Sequence, residues 1–368
     1  MNFMKEFHRD GEVVKDINRT FVTLIPKVGK LETIKDYRPI SLVGSMYKIL
    51  AKVLANRLRK KMNVIIGESQ MAFVKGRQII DSFVIAEEVI HKSKHEKEGG
   101  LLVKLDFEKA YNSVDHSFHD FMMEGMGFGI KWRGWMRECT STPLVSELVN
   151  GRATAQFGLE NGLRQGDPLS PFLFNIVVEG LNCLLKKATN MGLIEGERFD
   201  EDKVHISHLQ FADDTILFIK PRMDYLMNAK RLLRCFELVS GLKINFHKSR
   251  VARVGIVKAE ESARWATTFK CKTTSLPITY LGFPLRGKPG SKMFWNSLVD
   301  RIEKRLAPWK REFLSKGGTL VLIKAVISSM PTYFLFIFKI PVGWPKESRS
   351  SKGIFCGVMV FLKERLMR

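Results

Sequence analysis

Between Ser207 and Lys220 the chain reads SHLQFADDTILFIK, with apolar residues running up to Asp213 and Asp214 and resuming directly after them. Two adjacent carboxylates at the tip of two sticky strands repel each other, so few folds accommodate this stretch. It is either a solvated hairpin turn, where Asp is a favoured residue, or a place where a cation sits. A second acidic position favours the cation. LLVKLDFEKAYNSV sets Asp106 at the C-terminal end of a strand of buried-type residues. If that strand lies beside the hairpin in one sheet, Asp106, Asp213 and Asp214 converge at one edge, and three ionised carboxylates need a compensating charge. A hard divalent cation with oxygen ligands supplies it, most naturally Mg²⁺ bridging to substrate phosphates. Two such ions about 3.5–4 Å apart would activate a 3′-hydroxyl and neutralise a leaving pyrophosphate in an in-line phosphoryl transfer. Taken singly, the Asp pair reads as an ordinary turn and Asp106 as the cap of a helix starting near FEKAY.

The overall charge points the same way. Lys and Arg number 60 against 38 acids, a net +22 spread along all 368 residues, which favours a polyanionic partner and above all nucleic acid. A membrane surface would want a short basic amphipathic helix or a lipidation signal instead. The most apolar late run, YFLFIFKI, is too short to span a bilayer, and the N-terminus lacks the apolar core of a secretion signal. Cys139, Cys183, Cys235, Cys271 and Cys356 lie far apart without zinc spacing and read as small buried hydrophobes in a reducing compartment. An intracellular location, in nucleus and cytoplasm and with no membrane partner, is expected.

FVTLIPKVGK alternates like a strand ending at Pro26. In YRPISLVGSMYKILAKVLANRLRKKMNVII, the residues Met46, Ile49, Leu50, Val53, Leu54 and Leu58 have helical spacing opposite a basic face. Helices are also expected over SFVIAEEVIHKSKHEKEGG, HSFHDFMMEGMGF, KWRGWMRECTS and LMNAKRLLRCFELVSGL, the last closed by Gly241. LVSELVNGRATAQFGL is the clearest hairpin, turning at Asn150-Gly151. DPLSPFLFNIVVEGLNCLLKKAT is a long apolar helix with Asp167 as cap and Pro168 at its start. SLVDRIEKRLAPWKREFL and TLVLIKAVISSM read as basic helices. Strands and helices mix without βαβ regularity, so the class is α+β. GMGFG and GKPGSK lack the spacing of nucleotide-binding loops and read as turns.

Several long motifs in order carry a specific resemblance: LIPKVGK, DYRPISLVGSMYKILAKVLANRL, AFVKGRQI, LDFEKAYNSVDH, GLRQGDPLSPFLFNIV, SHLQFADDTILF, CFELVSGLKINFHKS and YLGFPL. From about Phe21 to Leu285 the chain resembles the reverse transcriptase of a non-LTR (LINE-type) retrotransposon, most like those abundant in plant genomes. The resemblance implies a right-hand polymerase with an antiparallel palm sheet. It implies fingers over residues 21–100, palm over 101–285 with a fingers insertion, and thumb-like helices over 286–340. These are flanked by a truncated upstream remnant (1–20) and a degenerate tail (341–368).

By the same resemblance Asp106, Asp213 and Asp214 are the catalytic metal ligands for two Mg²⁺ ions, with Mn²⁺ as a substitute. Tyr111 stands at the family's steric gate, where a ring under the sugar rejects a 2′-hydroxyl; as bare sequence it reads equally as core. Phe107 packs beneath the incoming nucleotide or is plain core. Gln165 and Gly166 contact nucleotide and template base. Lys27 and Arg38 grip the triphosphate, unless they are solvated cations. Lys248 protonates pyrophosphate or is a surface cation, and Tyr280, Leu281 and Gly282 form a primer grip or simply a buried strand with a turn. Asn112 stands where Asp is commoner. The implied partners are an RNA template, a DNA primer and dNTPs, with a separate endonuclease for integration. The tail KGIFCGVMVFLKERLM has altered spacing, as in a fragment or decayed copy. Two other functions are open on sequence: a catalytically silent nucleic-acid-binding remnant and a protein like a group II intron maturase.

Overall fold

The computed structural model describes residues 2–14, 16–27, 32–96, 99–199, 204–255, 259–306, 321 and 332–339. Its contacts divide the chain into two units, Met1–Ser275 and Leu276–Arg368.

The first unit opens with α1 (Asn2–Asp10), which buries Phe7 with its ring 5.6 Å from that of Trp135. β1 (Arg19–Pro26) and β2 (Tyr37–Val43) pair antiparallel, and α2 (Ser45–Arg59) follows Gly44 directly. The helical spacing that starts at Met46 corresponds to α2, and Tyr37–Val43 before it is a strand, in which Pro39 and the β-branched Ile40 and Val43 favour extended backbone. The buried face of α2 is Tyr47, Leu50, Ala51, Leu54, Ala55 and Leu58, whereas Met46, Ile49 and Val53 are exposed. Next come α3 (Met62–Ile65), α4 (Ile79–His95), β3 (Gly100–Leu105) and β4 (Phe107–Glu108). α5 (His116–Gly125) is capped by Asp115, whose carboxylate accepts from the Phe118 amide at 2.8 Å, and α6 (Ile130–Ser141) follows.

β5 (Leu144–Val149) turns at Asn150 and Gly151, both with positive φ as a tight hairpin requires. The return strand is broken into β6 (Arg152–Ala153) and β7 (Phe157–Gly158), both on β5, and β5 lies parallel to β1 to complete the first sheet. α7 (Ser170–Asn190) buries 14 of its 21 residues and runs through the centre of the core. It begins at Ser170, so Asp167 and Pro168 precede it and Asp167 is not its cap.

The chain continues through β8 (Glu197–Phe199), β9 (Val204–Ile206), β10 (His208–Phe211), β11 (Asp214–Ile219), α8 (Met223–Ser240), β12 (Lys243–Ile244), β13 (Arg250–Val254), α9 (Ala259–Phe269) and β14 (Lys272–Thr274). Gly241 closes α8 in the left-handed conformation. The second sheet has the order β10-β11-β3-β13-β14 and is antiparallel except between β13 and β14. The apolar run of β3 is therefore flanked by a strand on each side.

In the second unit, β15 (Ile278–Tyr280) and β16 (Phe283–Leu285) form a hairpin around Leu281 and Gly282, both at positive φ. α10 (Lys292–Leu306) and α11 (Thr332–Ile337) bring Trp295 and Phe334 into its aromatic core. Apart from residue 321, the helix expected over TLVLIKAVISSM lies outside the described residues, as do Cys356 and the tail 341–368. Of the cysteines expected to be buried, Cys139 is and Cys271 is half-buried, whereas Cys183 and Cys235 lie on exposed helix positions. The α+β class with a mainly antiparallel palm-type sheet stands. No described helix is long and apolar enough to cross a membrane.

Candidate active site

Register alone gathers the acids. β3 and β11 pair antiparallel with Leu105 opposite Thr215, so Asp106, just past the end of β3, and Asp214, at the start of β11, share one sheet edge. Phe211 pairs with Asp214 across the hairpin, leaving Ala212 and Asp213 as a two-residue turn at the same edge. The sequence-derived triad is thus brought together. Burial pushes the Asp213 and Asp214 carboxyls above the usual carboxylate range, and the charge of Asp106 pushes both further. Arg38 acts against this at Asp213, and Lys104, 4.0 Å from Asp214, does so there.

Among the described residues, no group of three or more His, Cys, Asp or Glu side chains is arranged to hold a metal ion. Mg²⁺ does not require such a cage, since it keeps several waters and binds through one or two carboxylates together with substrate phosphates. An edge of hard oxygen donors, of which the Asp213 and Asp214 carboxyls are raised by burial and by their acidic neighbours, fits that ion.

Two buried polar residues missed by sequence reasoning hold the edge. Ser249 Oγ accepts from the Asp106 amide at 3.1 Å, and the Asp106 carbonyl accepts from the Asn245 amide at 2.7 Å. The turn carrying Lys248 therefore anchors Asp106, while Lys248 itself is exposed. Gln70 grips the backbone of Ala212. In sequence each is one polar residue in a mixed stretch, and only the burial marks it out.

The Tyr111 ring stacks on Phe174 with centroids 4.7 Å apart, and its hydroxyl is pushed well up by burial and by the charge of Asp213. The Tyr111 carbonyl accepts from the Leu163 amide at 2.6 Å, which joins this segment to the RQGDP motif. Within that motif Arg164 and Asp167 are buried and paired at 3.2 Å, and Asp167 also accepts from Tyr47 Oη at 2.8 Å. Between these anchors Gln165 is half-buried and Gly166 exposed. The Gln165 carbonyl accepts from the Ser41 amide at 2.7 Å, which sets the loop against β2 and thus near Arg38. Gly166 has φ +111°, and a Cβ there would meet the Ser41 carbonyl at 2.9 Å, so only glycine fits.

Phe107 is buried in the hydrophobic core, in a strand pair with Ile244. Lys27 is exposed just past β1, its amide donating to the Asp36 carbonyl at 2.8 Å. Tyr280 is fully buried within the second unit, and the Gly282 carbonyl accepts from Arg301 at 2.9 Å.

Residues 25–285 match the family model described as reverse transcriptase (RNA-dependent DNA polymerase). The 149 kDa protein of transposon TX1 from Xenopus laevis is 28% identical over 342 residues, covering 90% of this chain and 25% of that protein. The Pol polyprotein of the type-1 retrotransposable element R2 from Popillia japonica is 28% identical over 249 residues, 67% of this chain and 34% of that one. The chain thus spans about a quarter to about a third of the length of these relatives. A telomerase from Candida tropicalis, solved in complex with a TWJ fragment of telomeric RNA, shares the fold with a TM-score of 0.51 at 13% identity, over 98% of this chain and 60% of that one.

Proposed function

Because the chain belongs to the reverse transcriptase (RNA-dependent DNA polymerase) family, we propose that it extends a DNA primer on an RNA template with dNTPs, as the polymerase of a non-LTR element of the plant LINE type. The observation that carries this is the meeting of Asp106, Asp213 and Asp214 at one sheet edge, with Asp213 and Asp214 held above the ordinary carboxylate range. These residues would hold two Mg²⁺ ions, or Mn²⁺ in their place, which when bound activate the primer hydroxyl and neutralise the leaving pyrophosphate.

The chain's own side chains do the rest. Tyr111, fixed by its stack on Phe174, forms the floor that rejects a ribose 2′-hydroxyl. Gln165 hydrogen-bonds without adding charge, and Gly166 lets the backbone come close to the base pair. Arg38 and Lys27 bind the triphosphate, Arg38 with the support of its electrostatic contact to Asp213. Lys248 Nζ hands a proton to the departing pyrophosphate, and the Tyr280–Gly282 hairpin bears on the primer. Fingers lie over 21–100, palm over 101–285 and thumb over 286–340. The protein works in nucleus and cytoplasm.

The test is incorporation of dTTP on poly(rA)/oligo(dT) with Mg²⁺, comparing the full chain with Asp213→Ala. Loss of the ligand should lower the rate by at least about 10³-fold, at the upper end for one electrostatic contact to a transition state. Equal incorporation by both proteins, or duplex binding without any synthesis, refutes the reading; the second outcome identifies a silent binding remnant.

A further inference from the structure

The turn that carries Asp213 has an unusual first residue. Ala212 has φ +53°, in the left-handed region that two-residue turns normally assign to glycine. For an L-residue that conformation costs roughly 1–2 kcal/mol, so something must hold it. The holder is Gln70, which is fully buried. Its Oε1 accepts from the Ala212 amide at 2.9 Å and from the Ala72 amide at 3.0 Å, and its Nε2 donates to the Ala212 carbonyl at 3.4 Å. One side-chain amide therefore meets both polar groups of Ala212, as a neighbouring strand would. The backbones interlock as well: the Met71 amide donates to the Gln210 carbonyl at 2.9 Å, and the Gln210 amide to the Ser69 carbonyl at 2.7 Å. The Gln70 loop is itself fixed by Arg77, whose guanidinium donates to the carbonyls of Ile66, Gly67 and Gln70.

We infer that Gln70 is a positioning residue: by fixing Ala212 in the left-handed conformation it aims the Asp213 carboxylate at the reacting centre. This rests on the proposed role of Asp213 and deepens it. Only a Gln has both the length and the paired donor and acceptor for this grip; Asn is too short, Glu lacks the donor, and Met keeps only the volume.

The experiment compares Gln70→Met, Gln70→Glu and Gln70→Met/Ala212→Gly in the full chain. It measures single-turnover dTTP incorporation, the KM for dTTP, duplex affinity, and amide exchange over residues 209–216. Gln70→Met should lose about 10–100-fold in rate, as when a supporting ligand contact is removed, with KM and duplex affinity unchanged. Gln70→Glu, which keeps the acceptor oxygen, should lose less. The double variant should regain at least tenfold over Gln70→Met, because glycine adopts the left-handed turn unaided. A wild-type rate for Gln70→Met, or no recovery in the double variant, overturns the inference. If Gln70→Met does not fold, Gln70→Glu decides, since a loss as large as that of Asp213→Ala overturns it. If wild-type protein shows no Asp213-dependent synthesis, the proposed function fails and amide exchange alone decides. Faster exchange confined to 209–216 then supports the grip on Ala212, and unchanged or general exchange refutes it.

Discussion

The Arg164–Asp167 pair, buried in the core, and the Asp106–Asp213–Asp214 edge, open to solvent at Asp213, are acidic sites built on opposite rules. Around Asp167 every charge has an answer. Arg164 donates to Asn18 Oδ1 at 2.8 Å, Thr20 Oγ1 at 3.0 Å and the Cys139 carbonyl at 3.0 Å, and lies 3.2 Å from the Asp167 carboxylate with its guanidinium over the Tyr47 ring. Asp167 in turn accepts from Tyr47 and from the Leu169 amide. At the sheet edge three carboxylates share the partial influence of Lys104 and Arg38. A buried ion pair with satisfied hydrogen bonds is a structural joint, whereas acids left short of positive charge are poised for a ligand that brings it. The joint lies within the motif that presents Gln165 and Gly166, so one part of the chain is rigid in order that the other can bind.

The largest effect should come from breaking the joint. Arg164→Met leaves Asp167 buried without its cation and should cost about 3–5 kcal/mol in denaturant unfolding. Adding Asp167→Leu removes the stranded charge and should recover at least half of that loss. A single-variant cost no larger than that of an exposed ion pair would put the two sites in the same class.

The sheet edge should respond to metal and pH instead. The Asp213 and Asp214 carboxyls are raised in the folded chain, so protonated they favour folding, and that contribution is lost as pH rises through the raised range. Mg²⁺ at about ten times its dissociation constant should then add about 1.4 kcal/mol of stability, more at pH 8 than at pH 5, and nothing in Asp213→Asn. Asp120 is the internal control. Its hydrogen bonds from Arg133 lower its pKa, so its contribution is present at neutral pH and fades as pH falls, and it should ignore Mg²⁺. Thermal melts across pH with and without Mg²⁺ read both.

The acids themselves were legible because they interrupt apolar runs, and the strand pairing that gathers them follows from those same runs. The Asn150-Gly151 turn and the Gly241 cap were legible from local backbone chemistry. What escaped was set by partners distant in sequence. Tyr37–Val43 is a strand through its pairing with β1. Met46, Ile49 and Val53 have core spacing, but alanines 51 and 55 sit on the buried face instead. Asp167 looks like a helix cap because its real partner, Arg164, is recognisable only once both are buried. Gln70 and Ser249 are single polar residues whose meaning lies in the backbone atoms they meet, 142 and 143 residues away along the chain.

The smallest test uses two tyrosines, one at each site. Tyr47 Oη donates to Asp167 at 2.8 Å in a fully buried setting, so Tyr47→Phe should cost about 1 kcal/mol of stability, the worth of one buried hydrogen bond. Tyr111 sits under the influence of Asp213 while its ring stacks on Phe174, a stack that phenylalanine keeps. Tyr111→Phe should therefore leave stability unchanged and the dTTP rate within about threefold, less than one hydrogen bond's worth. Tyr111→Ala, which removes the ring, should lower the preference for dTTP over rUTP by about tenfold, the scale of a lost packing contact. A stability loss in Tyr111→Phe equal to that in Tyr47→Phe would mean that both hydroxyls serve the fold and that the sheet edge is a second joint.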